Sequence, residues 1–163
     1  MRTALVRGCL WAAAGGVLAA AFGVTALAQT DTQVGTWKLN VAKSKYEPGP
    51  APKSATTVIT AEGAGTKVVV DQAMPDGSTR HWEFTGNYDG KEVKITGNNP
   101  DADTVTRTRT RPDTIHSVNR KGGKRMTVQD SVVSSDGKTR TVTTTGVNIA
   151  GKKVHNVAVY ERQ

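Results

Sequence analysis

Between Thr79 and Tyr88 the chain alternates with a period of two. Arg80, Trp82, Phe84, Gly86 and Tyr88 fall on one face, and Thr79, His81, Glu83, Thr85 and Asn87 on the other. This is the pattern of a half-buried strand, whose successive side chains point to opposite faces. From Val34 onward no window sustains the i, i+3, i+4, i+7 apolar spacing of an amphipathic helix. Turn signals interrupt the alternation instead: Gly63-Ala64-Gly65, Pro75-Asp76-Gly77, Asp89-Gly90, Asn99-Pro100, Pro112-Asp113, Gly122-Gly123, Asp136-Gly137 and Ala150-Gly151. They lie 10 to 14 residues apart, the rhythm of short antiparallel strands joined by hairpins. The pattern predicts ten strands, at about 34–40, 55–62, 66–73, 78–88, 91–97, 103–111, 114–120, 124–134, 138–148 and 152–161. Laid flat, they would leave two open edges, which closure into a barrel removes. The expected fold is therefore all-β: a single antiparallel up-and-down β-barrel of about ten strands, with an open β-sandwich as the alternative.

Composition agrees. Residues 29–163 hold one Leu, 17 Val and 21 Thr. Val and Thr are stiff at χ1 and suit a pleated surface better than a helix. One stretch departs from the meander: residues 41–54 contain three of the six prolines, Pro48, Pro50 and Pro52. Proline fixes φ and favours extended polyproline geometry. This stretch is expected to be a long crossing loop, either a plain surface connection or a cover over one barrel end.

The N-terminus changes what is to be counted. Residues 1–28 read as a secretory signal peptide: Arg2 and Arg7 form a positive start, an apolar run extends from Leu10 to Leu27, and Ala26-Leu27-Ala28 is a small-x-small cleavage pattern. An uncleaved membrane anchor is the rival reading of the same run. On cleavage, residues 29–163 form one β-barrel domain with no stable membrane span, expected in the periplasm or outside the cell. The formal charge of +8 on 163 residues loses Arg2 and Arg7, leaving 20 basic against 14 acidic residues, a net +6. Cys9, the only cysteine, also falls in the signal. The exported domain then has no disulfide framework, thiol nucleophile or thiolate metal site.

Two short motifs resemble a known family. Gly35-Thr36-Trp37-Lys38-Leu39 resembles the opening Gly-x-Trp signature of the lipocalins and fatty-acid-binding proteins, and Val157-Ala158-Val159-Tyr160-Glu161-Arg162 resembles the last strand of the latter. The chain is also similar to a group of small secreted bacterial proteins. The resemblance implies a lipocalin-like barrel with an internal ligand cavity. Two features depart from the family: the proline segment stands where the family has a two-helix lid, and Ala158 stands where its last strand carries a ligand-gripping Arg two residues before the Tyr.

Candidate chemistry lies on three strands. Trp82, Phe84 and Tyr88 line either a pocket or simply the core, since only six aromatics remain after residue 28. Arg107, Arg109 and Arg111 share a face with Val105, and threonines fill the other. If Val105 marks the interior, guanidiniums enter the barrel, where they can grip a carboxylate or phosphate; if Thr faces inward, they form a basic outer stripe. Met126, Val128, Asp130 and Val132 share a face, which makes Asp130 a candidate inward partner for these arginines. Tyr160 on the last strand completes the candidate ligand-binding set. His81, His116 and His155 lie on separate strands without metal-ligand spacing, and Asn98–Asp103 lacks the Gly and distal Glu of a calcium loop.

No Gly-x-Ser-x-Gly elbow, P-loop or dinucleotide fingerprint is present, so no catalytic residue, cofactor or metal is expected. Basic residues are spread along the hairpins and export argues against a genomic partner, so nucleic acid is not expected either. The leading expectation is a non-enzymatic exported barrel that binds a small apolar or amphipathic, or anionic, ligand inside. The alternative is a periplasmic interaction module that meets an anionic envelope partner through a basic outer face.

Overall fold

A computed structural model describes residues 31–163. The signal peptide reading of residues 1–28 therefore lies outside the described residues. The elements are β1 (Gly35–Leu39), a single 3-10 turn (Val41–Lys43), β2 (Lys45–Glu47), β3 (Ser54–Glu62), β4 (Gly65–Ala73), β5 (Thr79–Gly86), β6 (Asp89–Lys94), β7 (Thr96–Gly97), β8 (Thr104–Arg111), β9 (Thr114–Lys121), β10 (Lys124–Val133), β11 (Thr139–Val147) and β12 (Lys153–Arg162). All are antiparallel neighbours in one sheet of order β6-β8-β9-β10-β11-β12-β1-β3-β4-β5-β7, with β2 on the side of β12.

The two ends of this order are successive pieces of one chain segment. β6 pairs with β8 through Val93↔Val105, and three residues later β7 pairs with β5 through Glu83↔Thr96. A single bent strand thus changes partner at Ile95 and draws the sheet into a nearly closed barrel. Gly86 permits the close approach of β5 to β6: a Cβ there would lie 3.0 Å from Val93 Cγ1. The expected all-β antiparallel barrel is what the chain forms. Its twelve strands exceed the expected ten because the 91–97 segment divides at the partner switch and the proline-rich segment contributes β2.

Inward residues alternate along each strand, as in Ala55, Thr57 and Ile59 on β3 or Thr66, Val68 and Val70 on β4. One end of the barrel is packed solid. Trp37, with no exposed surface, lies in a cluster with Leu39, Ile59, Val133 and Tyr160. Its indole Nε1 donates to Gln33 O at 2.9 Å, and the Arg162 guanidinium stacks 4.2 Å from its ring. Arg162 also donates to the carbonyls of Val34 and Thr32, so the last strand clamps the start of the domain. Gly35 has φ +144°, a backbone conformation that strains a residue with a Cβ, and a Cβ there would also displace the Arg162 guanidinium. The other end is open.

Candidate functional site

A cavity of about 370 Å³ fills the barrel between this packed base and the open mouth. Its wall is built from the inward residues of nearly every strand. Trp82 and Phe84 on β5, Arg107 on β8 and Tyr160 on β12 all line it. The proline-rich loop lines the mouth with Pro48, Gly49, Pro50 and Pro52, and so forms part of its rim.

Arg107 is the most informative residue. It points inward with Val105, and only 5% of its surface is exposed. Its Nη1 donates to Thr66 Oγ1 at 2.7 Å, and its guanidinium stacks 4.5 Å from the Tyr88 ring centre and 5.4 Å from that of Phe84. Burial lowers its pKa from the ordinary arginine value. Arg109 also turns inward, but at the packed base. It forms an ion pair with Asp31 at 2.8 Å and stacks 4.3 Å from the Tyr88 ring. Tyr88 therefore sits beneath the cavity, its hydroxyl donating to Asp31 Oδ2 at 2.8 Å. Burial raises the Tyr88 phenol above its ordinary value. Burial also pushes Asp31 upward, but hydrogen bonds from Arg109, the Gln33 N–H and Tyr88 prevail and hold its carboxyl below the usual range. Arg111 alone of the three arginines is exposed, 3.8 Å from Asp113. The basic outer stripe is thus not formed by Arg107 and Arg109.

Asp130 does not enter the barrel. It is exposed on the outer surface, bonded to His116 Nδ1 at 2.8 Å. The cause is a bulge in β10 between Arg125 and Thr127, which shifts the register by one residue. A slip of one residue exchanges the two faces of a strand. Met126 stays buried, but beyond the bulge Thr127, Gln129 and Ser131 face the cavity, while Val128, Asp130 and Val132 do not line it. His81 is likewise exposed, bonded to Asp71 at 2.7 Å, and His155 is exposed elsewhere. Among the described residues no three His, Cys, Asp or Glu side chains gather as metal ligands.

Sequence reasoning missed Arg140. It stands on β11 directly opposite Tyr160 on β12. Its guanidinium lies 5.7 Å from the Tyr160 ring, and its Nε is shared between Ser131 Oγ at 2.7 Å and Gln33 Oε1 at 3.1 Å. It lies deep in the molecule yet keeps accessible surface, because it borders the cavity. Burial pushes its pKa down to about 10, and Arg107 adds to the repulsion. Burial raises the Tyr160 phenol, partly offset by Arg140. Alternation with Val142 and Thr144 was the available signal. Attention to the last strand, where Ala158 replaces an arginine, concealed that the neighbouring strand supplies one.

Arg107 and Arg140 together charge the base of the cavity. Neither pairs with a carboxylate among the described residues. A buried charge without a partner is costly, by several kcal/mol even after relaxation. Hydroxyls, an amide and aromatic rings moderate that cost here without neutralising the charge.

The mouth is also cationic. Lys53, Lys121, Lys124, Arg125 and Lys152 lie in or beside the loops at this end. None of them pairs with a described carboxylate. At the packed end Arg109 and Lys91 are paired with Asp31 and Asp89. The loops at the mouth also carry Asp76, Asp101 and Asp103, so the rim keeps a modest positive excess.

Fold and site define a small antiparallel β-barrel with an internal, cationic cavity. No protein-family model matches the chain, and no curated protein sequence matches it either. Among the described residues no helix is long and apolar enough to cross a membrane.

Proposed function

We propose that this protein is an exported, non-enzymatic carrier or sensor, periplasmic or secreted, that binds a small amphipathic anion inside its barrel. The observation that carries this reading is the pair of guanidiniums at the base of the cavity, Arg107 and Arg140, without a carboxylate partner among the described residues; a third lining arginine, Arg80, stands nearer the mouth. A carboxylate, sulfonate or phosphate at the base satisfies both through charge-assisted hydrogen bonds. The body of the ligand then rises past Phe84, Trp82 and Tyr160 towards the mouth. The cavity is at the small end of the range for ligand sites, which fits a compact molecule.

The test is titration with the amphipathic fluorophore 1-anilinonaphthalene-8-sulfonate, alongside native mass spectrometry of protein purified from its own compartment. The expected results are saturable binding, weakened about tenfold or more by Arg107→Gln or Arg140→Gln, and a retained small anion. Asp130→Asn, on the outer surface, leaves binding unchanged. Equal binding by wild type and both arginine variants, with no retained mass, refutes the reading.

A further inference from the structure

The cavity has two unlike walls. One is mainly apolar: Val68 and Val70 on β4, Trp82 and Phe84 on β5, Ile95 at the partner switch and Val105 on β8, with Gln72 and Arg80 towards the mouth and Arg107 at the base. The other is lined largely by hydroxyls and amides: Ser117 and Asn119 on β9, Thr127, Gln129 and Ser131 on β10, and Thr144 on β11, interrupted by Ile115 and Val142. In the strand order β10 and β11 stand half a circuit from β4 and β5, so the walls face each other across the cavity. The division runs along the barrel, whereas the two arginines mark its base.

This geometry bears on the shape of the ligand. A linear acyl chain is apolar on all sides, and filling this cavity with one would lay half of it against hydroxyls and amides. Each polar group stripped of water without a replacement partner costs about 1–3 kcal/mol. Asn119 Nδ2 is satisfied by Thr127 Oγ1 at 3.1 Å, and Ser131 by Gln33 and Arg140. The side chains of Ser117, Gln129 and Thr144 hydrogen-bond to no other described side chain and face the cavity. They need water or ligand hydroxyls. A rigid ring system with an apolar face and a hydroxylated face meets both walls at once, and its stiffness spares the entropy of ordering a flexible chain.

We infer that the cavity selects a facially amphipathic acid: a ring-based molecule with hydroxyls along one face and an acidic group at one end, oriented with its hydroxyls towards β9–β11. This rests on the proposed anion-binding function and names its ligand class. The experiment is calorimetric titration of the whole protein with cholate and with laurate, both below their micelle-forming concentrations. One probe is a facially amphipathic acid and the other a linear acid. Cholate is expected to bind at least tenfold more tightly. In a Thr127→Val/Gln129→Leu variant, which turns part of the polar wall apolar, that preference falls to near parity while Arg107 and Arg140 remain. Laurate binding as tightly as cholate overturns the inference and leaves the anion-binding reading standing. A preference unchanged in a folded variant also overturns it. Failure of both acids to bind refutes the two together. Should the double variant not fold, the wild-type ratio alone decides.

Discussion

Replacing Arg140 by Met separates a functional arginine from a structural one. The side chain carries its full charge at neutral pH. Its folded pKa of about 10 lies well below the ordinary arginine value, with burial as the leading cause. The unfolded chain therefore holds this proton more firmly than the folded one between these values. The resulting penalty is fully present below about pH 10 and relieved only above it. The fall corresponds to roughly 3 kcal/mol against the charged form. That is an upper bound, because the head group borders a cavity open at its mouth. Against this stand the hydrogen bonds from Nε to Ser131 Oγ and Gln33 Oε1, about 1 kcal/mol each. Their loss leaves neither acceptor orphaned, since Ser131 Oγ still donates to Gln33 Oε1 at 2.9 Å. Met preserves most of the volume. The expected outcome is an apo protein as stable as wild type or more so, by up to about 1 kcal/mol, together with at least tenfold weaker binding of the anionic fluorophore. Urea unfolding followed by circular dichroism measures the first, and fluorescence titration the second. A loss of more than about 2 kcal/mol in the apo protein would refute the reasoning, because Arg140 would then be a tie holding the base together.

Two further predictions concern the packed end. Asp31 has a depressed carboxyl pKa, so its stabilisation is present above the ordinary 3.8 and lost as pH falls below it. Asp31→Asn is expected to cost about 2 kcal/mol at pH 7 and to flatten acid unfolding below pH 4; an unaltered acid limb in equilibrium unfolding counts against the Asp31–Arg109–Tyr88 cluster. Gly35→Ala places a Cβ against the Arg162 guanidinium at a φ of +144°, and is expected to cost about 2 kcal/mol or more and to weaken the near-ultraviolet signal of Trp37. An unchanged melting temperature and spectrum would mean that the Arg162 clamp is dispensable.

How much of this was legible in the sequence follows from what each feature depends on. Strand positions depend on local alternation and turn residues, and these are written in the chain, from Gly63-Ala64-Gly65 to Ala150-Gly151. The inward course of Trp82 and Phe84 was legible for the same reason. Face assignment fails where two assumptions break. On β10 the rule that apolar residues point inward met a polar interior wall, and the bulge before Thr127 changed the phase without a glycine or proline to announce it. Asp130 was misplaced for both causes. On β8 the rule that charges stay outside competed with Val105, and Val105 proved the better guide to Arg107. The change of partner at Ile95 depends on two other strands, β5 and β8, so no local pattern encodes it. Arg140 matters because it faces Tyr160 across a strand pair, a relation that the register fixes and the order of residues conceals.

For the proposed anionic ligand, the arrangement of charge predicts binding in two kinetic stages. The unpaired lysines and arginine at the mouth act at a distance, through solvent, and salt screens such fields within about a Debye length. Arg107 and Arg140 act only at contact, inside the protein, where screening is weak. For an anionic ligand, arrival is then governed by the rim and departure by the base. Added salt slows association while residence time stays nearly constant. The two ends of one barrel thus set two rate constants independently, and rim and base can change separately in the sequence without disturbing the strands between them.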